Sequence, residues 1–196
     1  MGMEKKKEEF LERGIRGVGK AIRDMDGFVY EMLSLTKDYK ISPETFSLQT
    51  LFGELEEDLR QKAEQFGVKL ECQIDKDFPE TEGEPRSLYR SLLNLVKNAI
   101  EASDSNKPDA YVRVCAMVKD GGRYEITISD NGTGMSDETK AKLFQAFFST
   151  KGERGTGLGL LVIDRTVRAH HGELKVDSQL GRGTTFTLTL PKKIPA

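Results

Sequence analysis

The sequence predicts an α/β protein: a two-layer α/β sandwich preceded by a long N-terminal helix of coiled-coil type. Three observations predict it. Residues 4–40 hold no proline and carry apolar side chains at heptad spacing. Beyond them, segments of strand period alternate with segments of helix period. Glycine-rich turns of the kind that close antiparallel hairpins lie between several of these segments. The order suggests a mixed, largely antiparallel sheet with helices on one face.

In the first segment, Leu11, Ile15, Val18, Ile22, Met25, Val29 and Met32 are separated by 4, 3, 4, 3, 4 and 3 residues. That is the a/d seam of a helix packed along another helix. Gly14, Gly17, Gly19 and Gly27 would weaken such a helix in isolation. A single helix cannot bury its own seam, so a second copy or the other helix of a longer parent is expected. Ile41-Ser42-Pro43-Glu44 ends it. The expected division is therefore residues 1–42 and residues 46–196.

Residues 47–66 read as an amphipathic helix through Leu48, Leu51, Phe52, Leu55, Leu59, Ala63 and Phe66. Val68 to Ile74 has strand period, and Arg86 to Ala102 is a helix. Tyr111 to Val118 and Tyr124 to Ser129 form a hairpin around Asp120-Gly121-Gly122. Helical patterns follow at 136–145 and 158–170. Glu173 to Ser178 and Thr184 to Leu190 close the chain around Leu180-Gly181-Arg182-Gly183.

Composition narrows the function. The chain has 196 residues, 37% hydrophobic and 32% charged, with a formal net charge of −2. There is no electrostatic case for nucleic acid. No apolar run reaches the roughly 18 residues of a membrane span, and no signal-peptide pattern follows Met1. A cytoplasmic location without membrane contact is expected, whether or not a parent protein is membrane-anchored. Cys72 and Cys115 are isolated in sequence and read as reduced thiols. MGMEKKKEEF is compatible with an artificial start.

The chemistry lies after residue 85. In SLLNLVKNAIEAS (91–103) the polar residues Asn94, Lys97, Asn98 and Glu101 share one face of a helix otherwise suited to a core. Asparagine is a poor helix former, and a buried amide needs a partner. Asp130-Asn131-Gly132-Thr133-Gly134-Met135 follows the strand YEITIS. Gly155-Thr156-Gly157-Leu158-Gly159-Leu160 precedes a helix, the geometry that suits anion binding, although it lacks the GK[ST] ending of a P-loop. Gly181-Arg182-Gly183-Thr184-Thr185-Phe186 enters the last strand.

In this order and spacing the segments resemble the ATP-binding catalytic domain of sensor histidine kinases, within the Bergerat-fold (GHKL) ATPase group. SLLNLVKNAIEAS is similar to its N box, SDNGTGM to its G1 box and LFQAFFSTK (143–151) to its F box. GTGLGL is similar to its G2 box and GRGTTF to its G3 box. The resemblance covers residues 46–191, and FFSTKGERGTGLGL is nearest to kinases of the nitrogen-regulatory type.

The resemblance implies ATP and Mg²⁺ as cofactors, with Asn94, Lys97 and Asn98 as catalytic residues. Asp130 would accept from the adenine amino group. Gly132 and Gly134, with Met135 alongside, would let the chain pass close to base and ribose. Asn98 would be the Mg²⁺ ligand, with Asn94 on the same wall, and Lys97 or Lys151 would neutralise phosphate charge. The loop Gly155, Thr156, Gly157, Leu158, Gly159 and Leu160 would hold phosphates at a helix N-terminus. Thr184 would complete the pocket. Residues 136–154 would form a lid pinned by Phe144, Phe147 and Phe148, at least one of them packed in the core.

Water-splitting members of the group carry a glutamate where Asn94 stands, and an asparagine cannot act as a general base. Transfer to another acceptor is implied instead. No acceptor histidine precedes the first helix; His170 and His171 read as a structural turn, and Glu101 as a solvent-facing residue. The implied partners are ATP or ADP, a phosphoacceptor-histidine helix from a dimerisation hairpin, a response regulator, and a second copy in a homodimeric parent. An anti-sigma-type serine kinase and a nucleotide-gated interaction module are the alternative readings.

Overall fold

Residues 40–103, 107–150, 152 and 155–195, with eleven scattered positions between Phe10 and Met32, are described by a computed structural model. The chain divides into two units, Met1–Asp38 and Tyr39–Ala196. In the first, Ile15, Val18, Ile22, Met25, Val29 and Met32 are helical and exposed, as an unpaired heptad seam would be. Leu11 lies outside the described residues.

The second unit opens with strand β1 (Glu44–Phe46) and helix α1 (Leu48–Gln65). Ser47 starts α1 by accepting from the Thr50 amide through its hydroxyl at 3.3 Å. The helix stops where Gly67 adopts φ +66° and the Val68 amide reaches back to the Ala63 carbonyl at 2.9 Å. Leu48, Leu51, Phe52, Leu55, Leu59 and Ala63 form its buried stripe. Truncating any of the leucines to alanine would cost roughly 2–5 kcal/mol.

Strands β2 (Lys69–Ile74) and β3 (Thr81–Gly83) lead to α2 (Pro85–Ala102), with proline placed in the first turn where its missing N–H costs nothing. The hairpin β4 (Tyr111–Lys119) and β5 (Arg123–Asp130) follows. A short α3 (Asp137–Lys142), α4 (Gly159–Ala169), β6 (Glu173–Gln179) and β7 (Gly183–Pro191) complete the unit.

The five-stranded sheet has the order β2-β4-β5-β7-β6. Only β2–β4 is parallel, because α2 carries the chain across between them; the other three pairings are antiparallel. Inward residues Val112, Val114, Tyr124, Ile126, Ile128, Leu188 and Leu190 pack in one core with Leu88, Leu92, Leu95 and Ile100 of α2. Phe78 meets Tyr124 edge-on at 5.8 Å. The sandwich predicted from the sequence is thus the observed architecture. The pair β1–β3 is a separate two-stranded sheet, too short for its period to show in the sequence.

Cys72 leans on the core, where burial pushes its thiol up to about 12. Cys115 is on the opposite face of the neighbouring strand, its Sγ 3.6 Å from Gln73 Oε1. Both are free.

Candidate functional site

The polar face of α2 is a wall with internal partners. Asn98 donates from Nδ2 to Asn94 Oδ1 at 3.3 Å, which answers part of the cost of burying the two amides. The other side of the Asn94 amide lies against the first turn of α4. A Cβ on Gly159 would come within 2.6 Å of Asn94 Nδ2. Gly159 is therefore glycine so that α4 can start against α2. Lys97 is half-buried on the same face. Glu101 is exposed as expected, and it also forms an ion pair with Lys62 of α1, bracing the two helices.

At the end of β5, Asp130 is only 6% exposed. Its Oδ1 accepts from the Gly132 amide at 2.9 Å and the Thr184 amide at 3.3 Å. The β5–β7 register makes this possible by pairing Asp130 with Thr184 across the ladder. Burial pushes the carboxyl above its ordinary range, and the two backbone donors and nearby Lys107 oppose that shift. Among the described residues both hydrogen bonds fall on Oδ1, so Oδ2 is the oxygen available to a ligand donor.

Beside the room expected of them for a base and ribose, Gly132 and Gly134 are required by the packing of the chain itself. A Cβ on Gly132 would collide with the Ala102 carbonyl at the end of α2. One on Gly134, at φ +61°, would collide with the Gln179 carbonyl. Met135 turns its side chain against the core, and its amide donates to Ser178 Oγ at 2.9 Å. Asn131 bonds the Tyr111 amide and the Asp109 carbonyl, at 3.0 and 2.9 Å, tying the hairpin's two ends.

The loop before α4 has a different character. Gly157, at φ +67°, accepts at its carbonyl from the Phe147 amide at 3.1 Å, and its Cβ position is filled by the Phe147 backbone. Phe147 itself stands at φ +64° and is 70% exposed. Phe144 is exposed and Phe148 half-buried, so none of the three fills the core as expected; that place goes to Leu143. Leu158 is wholly buried, and its amide donates to Thr156 Oγ1 at 3.3 Å rather than pointing outward. Leu160 packs partly against the core. No side chain caps α4, which leaves its first-turn amides for an anion. Gly155 donates to the Gly152 carbonyl at 3.2 Å, and Lys151 lies outside the described residues.

With this geometry, comparison with known proteins is decisive. Residues 83–194 match the family described as histidine kinase-, DNA gyrase B-, and HSP90-like ATPase. The chain belongs to this ATPase family. It is 34% identical over 166 residues to sensor histidine kinase ZraS of Escherichia coli, covering 85% of this chain and 35% of ZraS. It is 31% identical over 170 residues to sporulation kinase E of Bacillus subtilis, covering 87% of this chain and 22% of that kinase. The chain thus spans well under half the length of these curated relatives. The solved catalytic domain of histidine kinase ThkA shares the fold, with TM-score 0.68 at 24% identity, covering 78% of this chain and 99% of that one.

The family match makes this an ATP-binding domain of the ATPase type; Asp130, at the end of its β5, is held by more than its two amide donors. Two of its supports escaped the sequence reading. Ser178 Oγ donates to the Gly183 carbonyl at 3.0 Å and lies 2.9 Å from Thr184 Oγ1, so it fixes the turn that delivers Thr184. Lys107 Nζ donates to the Asn131 carbonyl at 2.8 Å beside Asp130. A serine in a strand and a lysine in a loop carry no local signal of such roles. No group of three or more His, Cys, Asp or Glu able to hold a metal occurs among the described residues. The available donors are side-chain amides, which fit an ion held mainly by phosphate oxygens and water.

Proposed function

We propose that this chain is the catalytic fragment of a two-component sensor histidine kinase. It binds ATP with Mg²⁺ and passes the γ-phosphoryl group to a histidine on a separate helix. The reading is carried by Asn94, a residue that cannot take a proton, wedged between α2 and the first turn of α4. A general base for water is missing at that place in the wall, so ATP is kept for another acceptor.

In this reading Asp130 orients the adenine through its amino group, and the uncapped start of α4 holds the phosphates. Asn98 holds Mg²⁺, which supplies charge neutralisation of the phosphates. Lys97 and Lys151 add point charges, and residues 136–154 close over the nucleotide as a lid. The bond from the γ-phosphorus to the bridging oxygen breaks, a phosphorus–nitrogen bond forms, and ADP leaves. The acceptor imidazole loses a proton to solvent. Catalysis of this kind rests on positioning and electrostatics.

The exposed seam from Ile15 to Met32 supports residues 1–42 as part of a dimerisation hairpin in a homodimeric parent. A response regulator is the downstream partner, and the fragment works on the cytoplasmic side. Among the described residues no helix is long and apolar enough to cross a membrane.

The test is to incubate the chain with γ-labelled ATP, Mg²⁺ and acceptor helices from the parent. An acid-labile, base-stable phosphoryl product on histidine is expected. An acid-stable product would point to serine, and nucleotide binding without any transfer would overturn the kinase reading. Asn94→Glu should raise ATP hydrolysis while lowering transfer.

A further inference from the structure

His170 belongs to none of the nucleotide-facing segments, yet it is one of the most buried polar residues among those described, at 1% exposure. It caps the C-terminus of α4. Its Nδ1 lies 2.7 Å from the Thr166 carbonyl, and its Nε2 accepts from the Glu84 amide at 2.9 Å. A carbonyl can only accept and an amide can only donate. These partners dictate one neutral tautomer, with the proton on Nδ1 and the lone pair on Nε2.

Glu84 is the N-cap residue of α2, and no side chain of its own helix caps that end. The acceptor comes from another helix instead. Backbone and ring are in close register here: a Cβ on Gly83 would fall 3.0 Å from His170 Cδ2 and 3.2 Å from Nε2. At its opposite end α4 starts with Gly159 against the Asn94 amide. The two helices are therefore joined twice, once inside the nucleotide cleft and once remote from it, about ten residues away along each helix.

We propose that His170 is a positioning residue for the nucleotide cleft: it sets α4 against α2 when neutral, and protonation of its ring weakens nucleotide binding. The proposal rests on the nucleotide-binding reading of that cleft. An imidazolium has two donors and no acceptor, so Nε2–H would oppose the Glu84 N–H and the remote joint would open. The placement of Asn94 and Asn98 against the phosphate loop would then relax. Two titratable groups act on the ring. The Glu84 carboxylate from α2 favours its protonation and His171 opposes it. Arg123 from β5 donates to the His171 carbonyl at 3.3 Å. Burial outweighs these and holds the imidazole below its ordinary value. The joint is intact near neutrality and opens on the acid side of about pH 6.5.

The experiment is a titration of Mg²⁺–ATP binding by calorimetry at about pH 7.5 and pH 5.5, on the wild type, His170→Gln and His170→Ala. The glutamine keeps an acceptor for the Glu84 amide and cannot titrate, so it also corrects for protonation of ATP itself. The wild type is expected to lose about tenfold more affinity on acidification than His170→Gln. His170→Ala should bind about tenfold more weakly than wild type at the higher pH, and His170→Gln should restore most of that loss. Ring resonances of His170 should move through the same pH range as the affinity.

Equal pH slopes in wild type and His170→Gln would overturn the proposal, as would wild-type affinity in His170→Ala. Failure of the wild type to bind nucleotide at pH 7.5 would instead sink the nucleotide reading beneath it.

Discussion

The turn after β5 and the loop before α4 are both rich in glycine, yet the glycines do different work. After β5, Gly132 and Gly134 abut carbonyls of α2 and β6, and Gly183 abuts Asp130. These contacts are with the protein's own backbone, so the pocket floor is set before any ligand arrives. Before α4, Gly157 also abuts backbone, that of Phe147 and Phe148, but Gly159 meets the end of a side chain, the Asn94 amide. There an exposed phenylalanine at positive φ leans on the loop. The first cluster is packed against backbone, whereas Gly159 lets a helix start against a side-chain amide.

The largest effect should come from the floor. Gly134→Ala combines a left-handed backbone with a collision against the Gln179 carbonyl and should cost about 3 kcal/mol or more, read by denaturant unfolding. A fully stable variant would show that the floor can shift. Gly159→Ala should weaken ATP binding at least about tenfold but cost only about 1–2 kcal/mol of stability, because the atom it meets is the end of the Asn94 side chain, which can turn away. Equal losses in both measurements would erase the contrast between the two clusters.

Asp130→Asn keeps an oxygen for the Gly132 and Thr184 amides but removes the charge. Nucleotide affinity should fall about tenfold or more. Stability should not fall at neutral pH, because burial disfavours the ionised carboxyl in the folded state. The sign follows from the raised folded value. Wild-type stability declines as pH climbs above the unfolded carboxyl value near 4, then levels once the folded group ionises. Asp130→Asn should lack this decline when melting is followed across pH 4–8. The smallest effect belongs to the exposed brace: Lys62→Ala should cost under about 1 kcal/mol and leave ATP binding unchanged.

Legibility in the sequence followed the range of the interactions. The helix of Asn94 and Asn98 was plain because its apolar stripe repeats within one element. The five sequence boxes gave the family because their residue types and order are themselves linear information. The packing reason for Gly132 and Gly134 was not legible, since the carbonyls they meet come from Ala102 and Gln179, and Gln179 lies 45 residues further on than Gly134. Leu143 was passed over for its phenylalanine neighbours because residue size suggests burial, whereas the turn geometry decides it.

By itself the sequence determined the two-layer architecture, the apolar heptad seam, the family and the shared helix face of Asn94 and Asn98. Period and motif are carried by neighbours in the chain. Tertiary structure alone decided that β2 runs parallel to β4 and that β7 enters beside β5, which puts the Thr184 amide on Asp130. It also decided that His170 closes the start of α2 from another helix. Such contacts depend on where remote segments meet once one core is buried, and no local pattern encodes that meeting.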